Sequence, residues 1–252
     1  MNEKISINNT KSEYSIKAVV NEYINCVERI GLWESEKIIF SRYINKNDKI
    51  LDVGCGAGRT TIKLYQAGYQ KIIGLDLSDE MIAAAKVIAK DKGLDMEFVV
   101  GNACELHYEG NSFDAVIFSF NGLMTVPTIE MRKKAMKEIY RILKPAGKFI
   151  FTTHYMDNQQ FTAYWTDEKE KWKKGEQDKS LLEYGDLIFS KPDAYGGDVV
   201  NFVHVPVDGE IEECISQSGF QLIYNDKRSN ICAESQIVED FAVDVMFWVC
   251  KK

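Results

Sequence analysis

Metal-binding and disulfide-forming patterns are missing from this sequence. The chain of 252 residues has only three histidines, and their scattered positions give no metal-ligand spacing. Its six cysteines include no Cys-x-x-Cys pair, and one of them, Cys55, lies in a glycine-rich loop where a disulfide would be awkward. Because paired cysteines belong to oxidising compartments, we expect a protein of the reduced cytoplasm without a bound metal.

Long apolar runs are missing as well. No segment approaches the ~20 apolar residues that a membrane-spanning helix needs. The amino terminus is polar and has no apolar core of the kind that targets a chain for export. We therefore expect no membrane association.

The charge balance disfavours nucleic-acid partners. Acidic residues outnumber basic ones by 38 to 31, which gives a formal net charge of −7. Nucleic-acid enzymes usually present a concentrated basic face to the phosphates. The densest lysine cluster here, Lys169–Lys179, is interleaved with acids, which is typical of a solvated helix. A small neutral or cationic ligand fits this chain better than RNA or DNA.

The most informative segment is Ile50–Gly58, an apolar run that ends in an acid and three glycines spaced two apart. Glycines at Gly54, Gly56 and Gly58 let the backbone turn sharply and approach a ligand closely. The predicted helix over Arg59–Gln66 would direct its amide-rich end at that ligand. An ordinary βα turn is the alternative, so the interpretation depends on the residues that follow.

The spacing of these glycines separates two families of nucleotide-binding proteins. The dinucleotide fingerprint G-x-G-x-x-G/A would place its third small residue at Arg59 or Thr61, and neither fits. The pattern Asp-x-Gly-x-Gly-x-Gly that starts at Asp52 resembles motif I of the class I S-adenosylmethionine-dependent methyltransferases. The resemblance implies that the glycines line the methionine end of the cofactor and that Asp52 lies near its amino group.

Further positions of that family follow in order. The predicted strand Lys71–Leu75 ends at Asp76, whose carboxylate has two acceptor oxygens for the two ribose hydroxyls. A third strand leads to Asn102, where the family usually has an acid that contacts adenine. Together the resemblance implies a cofactor site made of Asp52, Gly54, Cys55, Gly56, Gly58, Asp76, Leu77, Met81, Asn102, Ala103, Phe120 and Tyr14.

The same resemblance predicts the fold. Asn111–Phe120 looks like the family's fourth strand, and Leu143–Ile150 like its passage from helix to fifth strand. We expect an α/β fold, a Rossmann-like sheet of seven strands in the order 3-2-1-4-5-7-6 with strand 7 antiparallel. Helices would cover both faces, and a cap would lie over one end.

We divide the chain into four segments. Residues 1–46 would form amino-terminal helices, one of them over about 12–31, that act as a lid to which Tyr14 belongs. Residues 47–154 would form the cofactor-binding core, and 208–252 the carboxy-terminal part of the sheet. The segment 155–207 is too long for a bare connection and is predicted to be a cap made of a helix and a β-hairpin.

The catalytic residues are harder to identify, because the cofactor supplies the reactivity in methyl transfer and the protein mainly aligns the reactants. His154 is the best candidate for a general base, since it follows the fifth strand and histidine titrates near neutrality. Tyr155 could orient an acceptor, whereas His204 in the cap is interpreted as structural.

Four functions stay open at this point. We expect methyl transfer to an oxygen or nitrogen of a small molecule, with S-adenosylhomocysteine as the other product. The alternatives are a tRNA-modifying methyltransferase and a protein that binds S-adenosylmethionine without methyl transfer. A nicotinamide dehydrogenase is a distant further alternative.

Overall fold

The fold is seen in a computed structural model that describes residues 5–158, 161–192 and 198–252. The strands are β1 (Ile50–Val53), β2 (Ile72–Asp76), β3 (Glu97–Val100), β4 (Phe113–Phe118), β5 (Leu143–Thr153), β6 (Asp186–Pro192), β7 (Asp198–His204), β8 (Gln221–Lys227) and β9 (Met246–Lys251). The helices are α1 (Ile7–Glu13), α2 (Lys17–Arg29), α3 (Glu34–Tyr43), α4 (Arg59–Gln66), α5 (Asp79–Asp91), α6 (Ile129–Ile142), α7 (Thr162–Lys174), α8 (Glu210–Gln217), α9 (Arg228–Ile231) and α10 (Gln236–Phe241).

The main sheet has seven strands in the order β3-β2-β1-β4-β5-β9-β8. The pairs among β1 to β5 are parallel, whereas β9 is antiparallel to both of its neighbours. This is the predicted topology, with the last two strands renumbered because the hairpin β6–β7 precedes them. The carboxyl ends of β1, β2 and β4 therefore meet at one edge of the sheet, where ligands bind in open α/β folds.

Both faces of the sheet are covered, as the strand residues require. Successive side chains of a strand point to opposite faces. Leu51 accordingly packs with α6 and α8 on one face, whereas Ile50 packs with α3 on the other. A third cluster joins α2 and α5 beside the loop that follows β1. No helix among the described residues is both long and apolar enough to cross a membrane.

The amino-terminal prediction was wrong in one detail. The apolar stripe over about 12–31 predicts one helix, whereas the structure breaks it at residues 14–16, between α1 and α2. The backbone N–H groups of Ser15 and Ile16 donate hydrogen bonds to carbonyls of α1. Ile16 has an extended backbone and is the N-cap residue of α2. Tyr14 lies at this break, so its ring does not follow the stripe of α2.

The segment 155–207 contains α7 and the antiparallel hairpin β6–β7. Residues 159–160 and 193–197 of this segment lie outside the described ones. The structure thus has the two kinds of element that were expected of the cap, while the division of the chain into four segments stays a prediction.

A buried group of charged side chains fixes the base of the hairpin to the core. We call Arg132, Glu183, Asp186, His204 and Glu210 the ionic cluster. Arg132 on α6 binds Glu183 at 2.6 Å and Glu210 at 3.0 Å. His204, which pairs with Asp186 across the hairpin, lies 2.8 Å from that carboxylate through Nδ1 and 3.0 Å from Glu210 through Nε2. Four elements are therefore joined at one point.

Histidine and carboxylates are also the ligands that metal ions take, and the ligand atoms of Glu183, Asp186 and His204 lie within 4.8 Å of one another. Their oxygens are already bonded, however. Backbone N–H groups donate to Glu183 Oε1, to Asp186 Oδ2 and to Glu210 Oε2, and Arg132 and His204 bind the other three oxygens. The carboxylate oxygens of the cluster are therefore satisfied within an ion-pair network.

The protonation of His204 follows from this arrangement. Burial opposes the charged form, but hydrogen bonds to Asp186 and Glu210 outweigh it and raise the pKa of His204 above 6.5. A raised pKa means that the folded state binds the proton more tightly than the unfolded state. The stability contributed by His204 is therefore present in acid and is lost as the pH rises through its pKa in the folded protein. His204 is structural, as its position in the cap suggested.

Removing Arg132 should leave Glu183 and Glu210 buried without their cation. We expect Arg132→Ala to lower the free energy of unfolding by about 3–5 kcal/mol, measured by urea denaturation at pH 7. Lys133→Ala is the matched control, because the neighbouring Lys133 also pairs with α8 but its partner Glu213 is 57% exposed. That change should lower stability by less than about 1 kcal/mol. Equal losses in the two variants would contradict a special role for the ionic cluster.

Candidate functional site

The loop after β1 turns through conformations that need glycine. Gly54 and Gly56 have φ values of 65° and 54°, in the left-handed region. A Cβ atom at Gly54 would lie 2.6 Å from the ring of Phe118, and one at Gly56 would lie 3.0 Å from the ring of Tyr23. The loop therefore presents bare backbone at the carboxyl edge of the sheet.

Asp76, the last residue of β2, holds that loop in place. Its Oδ2 accepts a hydrogen bond from the backbone N–H of Gly56 at 2.8 Å, and its Oδ1 accepts one from Ser78 at 2.9 Å. Burial raises the pKa of the carboxyl, while the N–H groups of Ser78 and Gly56 act against the increase. Ser78 in turn caps α5 by accepting from the N–H of Met81.

Asp52 is fully buried at the end of β1. Its Oδ2 accepts a hydrogen bond from the hydroxyl of Thr61 at 2.6 Å. Burial raises the pKa of Asp52 to about 7, and the Thr61 hydroxyl and Arg59 hold it from rising further. A cation placed beside this carboxyl would favour its ionised form.

Arg59, at the start of α4, forms a buried ion pair that sequence reasoning missed. Its guanidinium donates to both oxygens of Glu36, at 2.7 and 2.6 Å, and to the carbonyl of Gly31 at 2.6 Å. The same group lies 5.5 Å from the ring of Trp33 and 5.7 Å from that of Phe120. It thereby ties α3 to the glycine loop, a long-range contact that no local pattern indicates.

A crevice with an empty volume of about 980 Å³ lies along this edge of the sheet, partly open to solvent, and we call it the loop crevice. The predicted cofactor residues that line it are Tyr14, Asp52, Gly54, Cys55, Gly56, Asp76, Leu77, Asn102, Ala103 and Phe120. Gly58 and Met81 lie behind it, Gly58 as the cap of α4 and Met81 fully buried on α5. Lining residues that were not predicted include Tyr23, Arg59 and Thr60.

Asn102 stands where the resemblance predicted contact with adenine. Its Oδ1 accepts a hydrogen bond from the backbone N–H of Cys104 at 2.9 Å, which closes a turn after β3. The amide oxygen thus already has one partner within the turn, and one lone pair remains for a ligand.

A second and larger space, which we call the cap cavity, has an empty volume of about 1620 Å³. Aromatic and aliphatic side chains form most of its wall, among them Phe161, Tyr164, Trp165, Leu187, Phe189, Phe202, Val203, Val205, Phe241 and Val243. The hairpin β6–β7 and α7 supply much of this lining. Long-range packing builds the cavity, so its shape was not readable from the sequence.

The two spaces meet at an aromatic wall. Tyr14, Tyr23, Phe120 and Thr125 line both of them. The rings of Tyr14 and Tyr23 are 5.8 Å apart, and that of Phe120 is 6.4 Å from Tyr23. Phe241, from the cap-cavity side, stacks on Phe120 at 5.3 Å. A group held in the loop crevice can therefore face one held in the cap cavity.

The two predicted catalytic residues both line the cap cavity. Burial lowers the pKa of His154 to about 4, so its ring is neutral at physiological pH, and Nε2 lies 3.2 Å from Asn121 Nδ2. The hydroxyl of Tyr155 donates to Asp244 at 2.9 Å, and the ammonium of Lys227 lies 4.3 Å from the centre of its ring. Their catalytic roles stay predictions.

Comparison with known proteins identifies the family. Residues 50–147 match the model of a methyltransferase domain. The chain is 33% identical over 230 residues to the ubiquinone/menaquinone biosynthesis C-methyltransferase UbiE of Rickettsia bellii, with 88% of each chain covered. It is 29% identical over 225 residues to the UbiE of Rickettsia prowazekii, with 86% of each covered.

Solved structures show the same fold. An S-adenosylmethionine-dependent methyltransferase of Methanosarcina mazei matches with a TM-score of 0.68 and 23% identity, over 88% of this chain and 99% of the other. The [4+2]-cyclase SpnF matches with a TM-score of 0.66 and 16% identity, over 99% and 98%. The family model and the curated relatives, added to the topology, show that the chain belongs to the class I S-adenosylmethionine-dependent methyltransferases and uses S-adenosylmethionine as its cofactor.

Proposed function

We propose that this methyltransferase acts on a small molecule with a flat, largely apolar ring that carries a hydroxyl group, and that a ring carbon receives the methyl group. The observation that carries this proposal is the cap cavity, an aromatic-lined space that meets the loop crevice at the wall of Tyr14, Tyr23 and Phe120. Aromatic walls with a few polar groups are typical of sites for planar organic ligands.

The relatives of this chain support carbon as the atom that receives the methyl group. The curated proteins similar to this chain are described as C-methyltransferases of ubiquinone and menaquinone biosynthesis. A hydroxyl on an aromatic ring makes the adjacent carbons nucleophilic. The ring carbon forms a bond to the methyl carbon as the methyl–sulfur bond breaks and its electron pair stays on sulfur. The ring carbon then gives its proton to water, which restores the aromatic ring. Oxygen or nitrogen, expected from the sequence, is the alternative acceptor atom.

The cofactor would lie in the loop crevice. In this proposal the ribose hydroxyls donate to Asp76, whose oxygens each keep a lone pair beyond their bonds to Gly56 and Ser78. The glycine loop would hold the methionine end, and Asp52 would bind its ammonium group. The acceptor would lie on the other side of Phe120, in the cap cavity.

Nucleic acid is disfavoured as the acceptor. Two of the four lysines of α7 are paired with acids of the same helix, Lys171 with Asp167 and Glu168, and Lys173 with Glu170. These pairs agree with the interpretation of the segment as a solvated helix. Cofactor binding without methyl transfer is the more serious alternative. A structure of similar fold is described as a cyclase, which is not a methyl-transfer activity.

The acceptor class can be tested with labelled cofactor and a panel of hydroquinones, naphthoquinols, catechols, aliphatic amines and tRNA. We expect label in the quinols, with nuclear magnetic resonance of the product showing a methyl group bonded to a ring carbon. A methyl ether as the product would assign the reaction to oxygen. Label only in amines or tRNA, or no label in any acceptor, would overturn the proposed function.

Asp76→Ala should weaken S-adenosylhomocysteine binding by about 1–3 kcal/mol, because charge-assisted bonds to the ribose are lost. Calorimetry at pH 7.5 measures the change. Asp91→Ala is the matched control, since Asp91 is an exposed acid at the end of α5. This variant should bind S-adenosylhomocysteine as tightly as the wild type does. Unchanged affinity in Asp76→Ala would refute the ribose assignment.

Asp52 should make cofactor binding depend on pH. The free protein holds a proton on Asp52 below pH 7, and a nearby ammonium group would displace it. We expect S-adenosylhomocysteine affinity to fall by up to about tenfold per pH unit below pH 7. Calorimetry at pH 6.5 in buffers of different ionisation enthalpy should detect the released proton.

Asp52→Asn tests the same linkage. The variant should release no proton and should bind more weakly at pH 8. The free variant should also lose the wild type's decline in stability between about pH 4 and 7, where folded Asp52 keeps a proton that the unfolded chain has released. Proton release that persists in Asp52→Asn would assign the effect to another group.

A further inference from the structure

The chain takes an uncommon path where β4 reaches the boundary between the two spaces. Phe120 and Asn121 have φ values of 53° and 59°, so two successive residues that are not glycine adopt the left-handed conformation. Such residues are uncommon and persist only where their surroundings hold them. Here the backbone N–H of Asn121 donates to the hydroxyl of Thr152 at 2.8 Å. With this backbone conformation, Asn121 lies in the wall of the cap cavity.

The two polar atoms of the Asn121 side chain differ, because Nδ2 has a hydrogen-bond partner among the described residues and Oδ1 has none there. Its Nδ2 lies 3.2 Å from His154 Nε2, and burial keeps His154 neutral, so that nitrogen can accept the hydrogen bond. The amide Oδ1 is buried and accepts no hydrogen bond from the residues that the structure describes. With the amide turned the other way, Nδ2 would be the atom without a partner. An unpaired buried polar atom is unfavourable, and a ligand that pairs with it removes that penalty.

The other polar groups at this end of the cavity are already engaged. Tyr155 donates to Asp244, which also accepts from the hydroxyl of Ser229 at 2.7 Å. Of the buried side-chain atoms without a hydrogen-bond partner in the described ranges, Asn121 Oδ1 is the one that belongs to the cap-cavity lining. A phenolic hydroxyl both donates and accepts, so it can satisfy the amide in either orientation.

We propose that Asn121 binds the ring hydroxyl of the methyl acceptor and that His154 is a positioning residue that orients the Asn121 amide. This inference rests on the proposed function and adds the residue that selects its substrate. Phe120 lines both spaces, so a hydroxyl held at the adjacent Asn121 keeps the ring beside the junction with the loop crevice. His154 therefore acts through Asn121 and takes no proton from the acceptor.

The test compares two probes that differ in the hydroxyl group, 1-naphthol and 1-methoxynaphthalene, bound to the protein saturated with S-adenosylhomocysteine. The wild type should bind 1-naphthol roughly tenfold more tightly, because the methyl ether cannot donate to Oδ1. Asn121→Gly should reduce this ratio to near one and leave S-adenosylhomocysteine affinity unchanged. Glycine accepts the left-handed backbone, so the change removes the side chain without adding strain.

Asn111→Gly is the matched control. Asn111 is an exposed asparagine with φ of 58°, in the loop before β4, and its replacement should keep the wild-type probe ratio. His154→Ala should reduce the ratio, and His154→Gln, whose side-chain oxygen can accept from Asn121 Nδ2, should restore part of it. A wild-type probe ratio in His154→Ala would contradict the positioning role of His154. A ratio in His154→Gln no higher than in His154→Ala would contradict it as well.

The outcomes separate this inference from the proposed function. Equal binding of the two probes by the wild type, a ratio that survives in Asn121→Gly, or no binding of 1-naphthol would overturn the role of Asn121. If quinols are methylated and the probe ratio is one, only this inference fails. If the ratio behaves as expected and no quinol is methylated, the proposed reaction fails and the hydroxyl site stands.

Discussion

The side chain and backbone of Asp76 together hold the three chain segments that surround the loop crevice. Its carboxylate accepts from Gly56 in the glycine loop and from Ser78 at the start of α5. Its backbone carbonyl accepts from Gly101 after β3 at 2.8 Å. Because parallel strands end at the same edge, one residue can reach all three turns. The shape of the loop crevice thus depends on a single strand end.

The junction between the two spaces follows from how the segment after β5 packs on the core. The core provides the loop crevice, and the segment after β5 provides much of the second wall, so two spaces built by different parts of the chain share one set of rings. The ion pair of Arg59 and Glu36 supports that junction. The guanidinium of Arg59 lies against the rings of both Trp33 and Phe120. Alignment of donor and acceptor is therefore a property of packing, in keeping with a reaction whose reactive group belongs to the cofactor.

What the sequence could predict was local. The glycine loop and Asp76 stand out as short patterns with fixed spacing. The sheet order follows from the family that those patterns resemble, and the structure has that topology. Gly58 and Met81 belong to the same patterns but lie behind the crevice, because a pattern marks a position along the chain and not the direction in which it faces. The Arg59–Glu36 pair and the contact between Asn121 and His154 join residues 23 and 33 positions apart, and only the folded chain brings them together.

The ionic cluster separates two tasks within the hairpin. Glu183 and His204 hold its base to α6 and α8, whereas Leu187, Phe189 and Phe202 line the cap cavity. Residues that line the cap cavity can consequently diverge while the attachment is retained and the loop crevice is undisturbed. Within a family that shares one cofactor, such a division allows new substrates to be acquired by exchange of a few apolar side chains.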